Sequence, residues 1–345
     1  MAPCFSLCAQ DATKEERESP PVEFSGAVDV YYRYNFSNPA PGFSSFNSYT
    51  SFTNSQNSFE VGMASIQVKH QRGKAGFVAD LGFGKRAEAF AYNDANTRLA
   101  LKQAYVTYTP LAQLTFTAGT WATHIGYESA DAADNRNYSM SYLFSFGPFS
   151  HTGLRANLHL GTSGLMIGLA NPADRKSADL SPKTFIAQYS FENEEAIKIT
   201  FNFQRGKLSD SVRIEQFDVV TVSALSEKFS LGFNGSLFLS KSRVNGKFGS
   251  FNSWLGAAFY LNYNASKNVG FTLRPEYFDD KSGISGAALY AQVFATTLSG
   301  QIKLGALTLV PEMRFDQASA PVFLDHDGHA ISQTTTGLVA AVYKF

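Results

Sequence analysis

The sequence predicts an all-β protein, a transmembrane antiparallel β-barrel of about sixteen strands, with fourteen or eighteen as the alternatives. Three observations predict it. Short segments alternate apolar and polar side chains with a period of two, which is how strands present one face to each environment. Their connections alternate between short turns and long polar stretches, the arrangement of a barrel with turns at one rim and loops at the other. The chain ends on an apolar strand that stops at Phe345, with Tyr343, Ala341 and Val339 on the same face. Such an ending serves a purpose where the last strand must pair with the first and remove the sheet edges.

Composition agrees. Among 345 residues, 29 Lys and Arg balance 29 Asp and Glu, and charged residues make up 17%, against roughly 25% in soluble domains. Balanced charge gives no reason to expect a nucleic-acid partner. Phe (31), Tyr (16) and Gly (27) are abundant, and no apolar run is long enough for a transmembrane helix. Both cysteines, Cys4 and Cys8, lie in residues 1–9, MAPCFSLCA, which read as the tail of a secretory signal peptide. Residues 10–23 are charged and proline-rich and read as a disordered periplasmic lead-in. Residues 24–345 are the barrel.

In chain order, Phe24–Phe36 sets Val28, Val30, Tyr32 and Tyr34 against Asp29, Tyr31, Arg33 and Asn35. Ser58–Gln71 changes parity near Met63, which predicts a bulge. Strands at 77–84, 99–109, 114–120, 154–160, 165–169 and 184–191 follow. The clearest alternation is Ile197, Ile199, Phe201 and Phe203 against Lys198, Thr200, Asn202 and Gln204. Further strands fall at 213–224, 229–240, 254–263, 269–278, 287–297, 301–315 and 331–345, with a turn at Leu298–Gly300. Tyr108, Tyr189, Phe191, Phe229 and Tyr263 lie beside short turns, while Phe59, Phe83, Phe203, Tyr277 and Phe315 lie beside long loops. That placement predicts two aromatic belts around a lipid-facing band.

Because lipid requires an apolar exterior, the polar faces line the interior. They carry Asp29, Arg33, Asp80, Arg155, His159, Lys198, Arg274, Glu276, Glu312 and Arg314, expected to line a water-filled channel. Pro275 and Pro311, each followed by an inward Glu, are expected to mark a bulge or irregularity in the ladder. The longest connection, 123–152, is apolar at Tyr142–Phe149 and is expected to fold into the lumen. There Glu128, Asp131, Asp134 and Arg136 would form a constriction facing Arg33, Arg155, Arg274 or Arg314. Tyr343 and Phe345 are expected to close the barrel and to be read by the barrel-assembly machinery.

The segment LTFTAGTWATHIGYES…NRNYSMSYLFSFGPFSHTG, with KQAYVTYTP before it and LRPEYFDD and LVPEMRFD late in the chain, resembles the beta-barrel porin-2 (OmpL-like) family of Gram-negative bacteria. The resemblance extends from about Ser25 to Phe345. It implies an outer-membrane porin embedded in outer-membrane lipid, passing small hydrophilic solutes or ions, with a homotrimer as the family-style expectation. It brings no catalytic or binding residues. A surface adhesin without an open pore and a barrel hydrolase are the other two function classes. The six histidines show no nucleophile-and-base context, and His326-Asp-Gly-His329 is the only metal-like spacing. No enzyme activity, cofactor or metal is expected.

Overall fold

A computed structural model describes residues 21–40, 44–179, 181–193 and 197–345. The signal-tail segment 1–9, most of the lead-in and part of the turn 192–195 lie outside the described residues. Sixteen antiparallel strands close into one barrel. They are β1 (Glu23–Asn35), β2 (Ser58–Arg72), β3 (Ala75–Phe83), β4 (Leu101–Leu111), β5 (Leu114–Ala122), β6 (Ser150–Leu160), β7 (Ser163–Ala170) and β8 (Thr184–Glu192). The second half comprises β9 (Ile197–Ser209), β10 (Val212–Ala224), β11 (Phe229–Val244), β12 (Asn252–Asn264), β13 (Val269–Asp279), β14 (Gln292–Leu304), β15 (Leu307–Ala318) and β16 (Gln333–Lys344).

The seam joins the two ends of the chain. β1 and β16 pair from Ala27 opposite Lys344 to Asn35 opposite Thr336. Past that ladder, Phe345 N–H donates to the Gly26 carbonyl at 3.0 Å and Gly26 N–H donates to the Phe345 carbonyl at 3.1 Å. Closure leaves no row of unpaired N–H and C=O groups, each of which would cost several kcal/mol in hydrocarbon, about the penalty of an unmet buried polar group.

The apolar face points out. Val28, Val30, Val106, Leu154, Phe201, Phe217, Leu298 and Val339 are all exposed. Tyr108, Tyr189, Phe229, Tyr343 and Phe345 remain exposed near the short turns, and Phe36, Phe59, Phe83 and Phe315 near the long loops. The odd-to-even connections include 36–57, 84–100, 123–149, 280–291 and 319–332, while 245–251 is shorter and 210–211 is a tight turn. The even-to-odd ones among the described residues are tight turns. The bulge near Met63 is present: Asp29 faces Met63 while Val30 faces Val61, leaving Gly62 as the extra residue. Each proline interrupts one ladder without shifting its register. Pairing of β12 with β13 resumes at Leu261–Leu273 after Ala258–Glu276, and β14 with β15 resumes at Ile302–Leu309 after Ser299–Glu312.

Two expectations fail. Leu298–Gly300 is not a turn: β14 runs through it to Leu304, and the chain reverses at Gly305, whose φ is 69°. Leu-Ser-Gly has turn-like composition, but Gly305 takes the left-handed conformation the reversal needs. The segment 287–291 accordingly belongs to a loop. The inner wall is also not uniformly polar. Trp254, Ala258, Tyr260, Phe278, Val293 and Ala295 lie on the inward face and form a buried core with Tyr142, Leu143, Leu289 and Phe323. Loops that fold into the barrel supply the apolar partners, so burial there does not require a polar side chain.

Candidate functional site: a loop held inside the barrel

The connection between β5 and β6, residues 123–149, crosses the lumen. Its first residues meet the wall at β8–β12. Gln188 Nε2 donates to the His124 carbonyl at 3.4 Å, and Gly126 N–H donates to Asp218 Oδ1 at 3.1 Å. The Tyr127 ring stacks on Tyr260 with centroids 3.9 Å apart. It also lies over Gly232, where any Cβ would come within 2.6 Å of that ring. The chain then passes β4, β16, β13, β14 and β1 before turning into a one-turn helix, α1 (Tyr142–Phe146). Ser141 caps it by accepting the Phe144 N–H at 3.1 Å, and its own N–H and hydroxyl each donate to Glu128 Oε2 at 2.8 Å. A cap of this kind satisfies donors that a helix start leaves open.

Five of the ten predicted wall residues, Arg33, Arg274, Glu276, Glu312 and Arg314, grip loop backbone. Arg274 donates to Glu128 Oε1 at 2.5 Å and to the Ser139 carbonyl at 2.7 Å. Arg314 donates to the Met140 carbonyl at 2.7 Å and holds Asp316 through Nε and Nη2. Glu312 accepts the N–H groups of Tyr138 at 2.8 Å and Ser139 at 3.2 Å, while Glu276 accepts that of Leu143 at 3.1 Å. Asp29 accepts the Tyr138 hydroxyl, an approach that the absent side chain of Gly62 makes room for. Arg33 holds the 36–57 loop instead, donating to the carbonyls of Phe46 and Ser55. Charge-assisted bonds to backbone are the strong class of hydrogen bond, and the wall side chains that make these are buried.

Of the loop charges, Glu128 meets Arg274 as expected. Asp131 and Asp134 do not meet wall arginines: Asp131 bonds Lys102 Nζ at 2.6 Å and Asp134 bonds Lys344 Nζ at 2.6 Å. Arg136 donates to Thr272 Oγ1 and Asn264 Oδ1, both at 2.9 Å. Lys102 also reaches Asp80 at 3.2 Å. Burial pushes the Asp131 carboxyl above its ordinary range, and the adjacent Lys102 opposes that shift. Arg155 lies over the Trp121 ring at 4.7 Å. His159 and Lys198 are exposed near the short-turn rim, Lys198 beside Glu192 at 3.3 Å.

Sequence reasoning missed three residues. Lys102 hides in an irregular start of β4, where Asp80 faces Gln103 but Leu81 faces Leu101. Arg86 sits in a connection, yet it is fully buried and donates to the carbonyls of Ala130 and Tyr138 at 3.2 and 3.3 Å. Lys344 lies on the inward face of the terminal strand, read only for its apolar side.

Cavities lie on both sides of loop residues 130–136. One of about 120 Å³ is lined by Phe90, Lys102, Gln103, Glu128, Asp131 and Phe149. The other, about 910 Å³ at the short-turn rim, is lined by Asp134 and Glu227 and by five cations, Arg136, Lys228, Lys267, Lys303 and Lys344. Among the described residues, Asp325, Asp327 and His329 are the one His–carboxylate group within metal-binding distance. They are bonded to one another, with Asp325 Oδ1 accepting the N–H groups of Asp327 and His329.

Comparison with known proteins matches the family described as beta-barrel porin-2, OmpL-like, to residues 21–345. No curated protein matches the chain in sequence. Among solved structures, the outer membrane channel DcaP of Acinetobacter baumannii is similar with TM-score 0.64 at 13% identity, covering 94% of this chain and 97% of that one. An anion-selective porin from Comamonas acidovorans gives 0.63 at 12%, covering 94% and 99%. The trimer form of in-vitro folded OmpT from Vibrio cholerae gives 0.59 at 10%, covering 94% and 99%. At these identities the likeness speaks for the barrel alone.

Proposed function

The chain belongs to the beta-barrel porin-2, OmpL-like family and is a porin of the bacterial outer membrane; from that premise we propose that small hydrophilic solutes and ions diffuse through it with weak selectivity, along a route beside the inward-folded loop. The observation that carries this reading is the pair of cavities, about 120 and 910 Å³, flanking loop residues 130–136. Between them stands the Lys102–Asp131 pair, with Asp80 behind it. We assign the narrowest part of the route to that cluster, with Glu128 on the outer side and Asp134 and Arg136 on the inner side. Arg155, His159 and Lys198 line the wall, while Asp29, Arg33, Arg274, Glu276, Glu312 and Arg314 hold the loops in place.

Charges of both signs border the route, which favours weak selectivity over strong. The inner cavity carries five cations against two carboxylates, and that excess favours a lean toward anions. Porin family membership supports transport over hydrolysis. We expect three copies to assemble, as in the trimer form recorded for one similar barrel.

The test is purified protein in a planar bilayer under a potassium chloride gradient. Small steady conductance with a slightly anion-selective reversal potential is expected. No conductance would remove the diffusion reading and favour an adhesin, and hydrolysis of lipid or peptide in the same sample would favour an enzyme.

A further inference from the structure

The exterior of β9–β11 carries a feature that diffusion does not use. Arg213 on β10 faces Lys207 on β9 and Lys241 on β11, so three cations stand side by side on the outward face of adjacent strands. Arg243 joins them from above: both its guanidinium and that of Arg213 lie over the Phe248 ring, at 4.9 and 4.0 Å. Lys241 Nζ lies 4.2 Å from the centroid of Phe251. Among the described residues none of these four cations pairs with a carboxylate. Glu215, two residues from Arg213 on the same strand and face, is taken by Arg205 at 3.3 Å. Like charges directly opposite one another in a sheet repel, and an anion over the row would remove that repulsion.

The row stands at a telling height. Phe203 and Phe217, paired across β9 and β10 with ring centroids 4.9 Å apart, belong to the aromatic belt at the long-loop rim. Lys207 and Arg213 are each four residues beyond them on the same strands. At roughly 3.3 Å per residue on a tilted strand, that is about 10 Å above the belt, the depth of lipid headgroups. Below them, on β9–β11 and the neighbouring β8, lies an apolar groove of about 650 Å³ lined by Tyr189, Phe201, Phe217, Val219 and Leu237. Gly235 keeps it open on β11.

Cations at headgroup height over an apolar groove match one occupant. We propose that the outer face of β9–β11 binds a phosphorylated glycolipid of the outer leaflet, of the lipid A type. Its phosphates lie on Lys207, Arg213, Lys241 and Arg243, and one acyl chain lies in the groove. This rests on the outer-membrane location and not on the conducting route, so it stands or falls separately from conductance.

Native mass spectrometry of the detergent-purified barrel tests it, with bis-phosphorylated lipid A, its dephosphorylated form, phosphatidylethanolamine and inorganic phosphate as probes. Bis-phosphorylated lipid A should bind at one site per chain and outlast the other three. The triple variant K207Q/R213Q/K241Q should bind it on the order of a hundredfold more weakly, about fivefold for each cation lost. Gly235→Leu, which fills the groove, should also weaken lipid A. Heat-modifiable migration on a gel verifies that each variant is folded. Equal binding by the triple variant, or by dephosphorylated lipid A, overturns the proposal. Inorganic phosphate that binds as tightly as lipid A overturns the role of the groove.

Discussion

Arg274 on β13 and Glu128 in the lumen loop form an ion pair at 2.5 Å, with side chains 0% and 3% exposed. The same guanidinium reaches the Ser139 carbonyl, and the same carboxylate caps Ser141. The pair therefore ties the two ends of the loop's inner segment to one point on the wall. Removing one partner of a buried pair leaves an uncompensated charge, at a cost of about 3–5 kcal/mol. Arg274→Gln should detach the loop and raise single-channel conductance, with bursts of intermediate levels. The double variant E128Q/R274M should return toward the wild-type trace, because no lone charge remains. Identical conductance in Arg274→Gln and wild type would contradict the tethering role.

The seam gives a prediction of a different kind. Phe345 exchanges two backbone hydrogen bonds with Gly26, and its ring would lie within 2.7 Å of any Cβ placed there. Phe345→Ser keeps the backbone bonds and removes the ring. The expected outcome is less folded protein in the outer membrane, scored by heat-modifiable migration, with unchanged conductance in whatever folds. Unaltered yield would argue against a role for the terminal aromatic in assembly.

How much of this was legible follows from what alternation can and cannot report. Outward faces were readable because lipid tolerates only apolar residues there, so Val28, Phe201 and Val339 announce themselves. Inward faces were readable where they are polar, as at Asp29 or Glu312. On β12 both faces are apolar, with Leu255 and Phe259 outward against Trp254 and Tyr260 inward. No period identifies the loop that covers the inner ones. Most of the wall charges were found, and the pairing of Glu128 with Arg274 among them, but their backbone partners were not. A guanidinium that donates to the carbonyls of Ser139 or Met140 leaves no trace in residue identities, since every residue has a carbonyl. Arg86 was missed for the same reason.

Acid should loosen the loop at its first residues. His124 Nε2 donates to the Phe203 carbonyl at 3.4 Å, and among the described residues its buried Nδ1 makes no hydrogen bond. Burial lowers its pKa from 6.5 to about 4, and Arg155 adds to the effect. For a base whose folded pKa is depressed, the neutral form supports the fold above about 6.5. That support is lost as pH falls from 6.5 toward 4. Hydrogen exchange of residues 123–128 should therefore rise over that window, and His124→Gln should flatten the dependence. A pH-independent exchange rate in the wild type would count against the buried neutral imidazole.

The strongest prediction concerns the loop's inner segment. Deleting Ser129–Tyr138 removes Asp131 from Lys102, Asp134 from Lys344, and the Tyr138 N–H and hydroxyl from Glu312 and Asp29. It also joins the space above and below the loop, which residues 130–136 now separate. Single-channel conductance should rise severalfold, and larger uncharged solutes should enter proteoliposomes in swelling assays. Lys102→Met is the finer version: it leaves the loop's other tethers in place and strips the cation from between Asp80 and Asp131. With two carboxylates then unbalanced at the narrowest part of the route, ion selectivity should move toward cations while conductance changes little. A deletion that left conductance and solute size limit as they are would place the route elsewhere in the barrel.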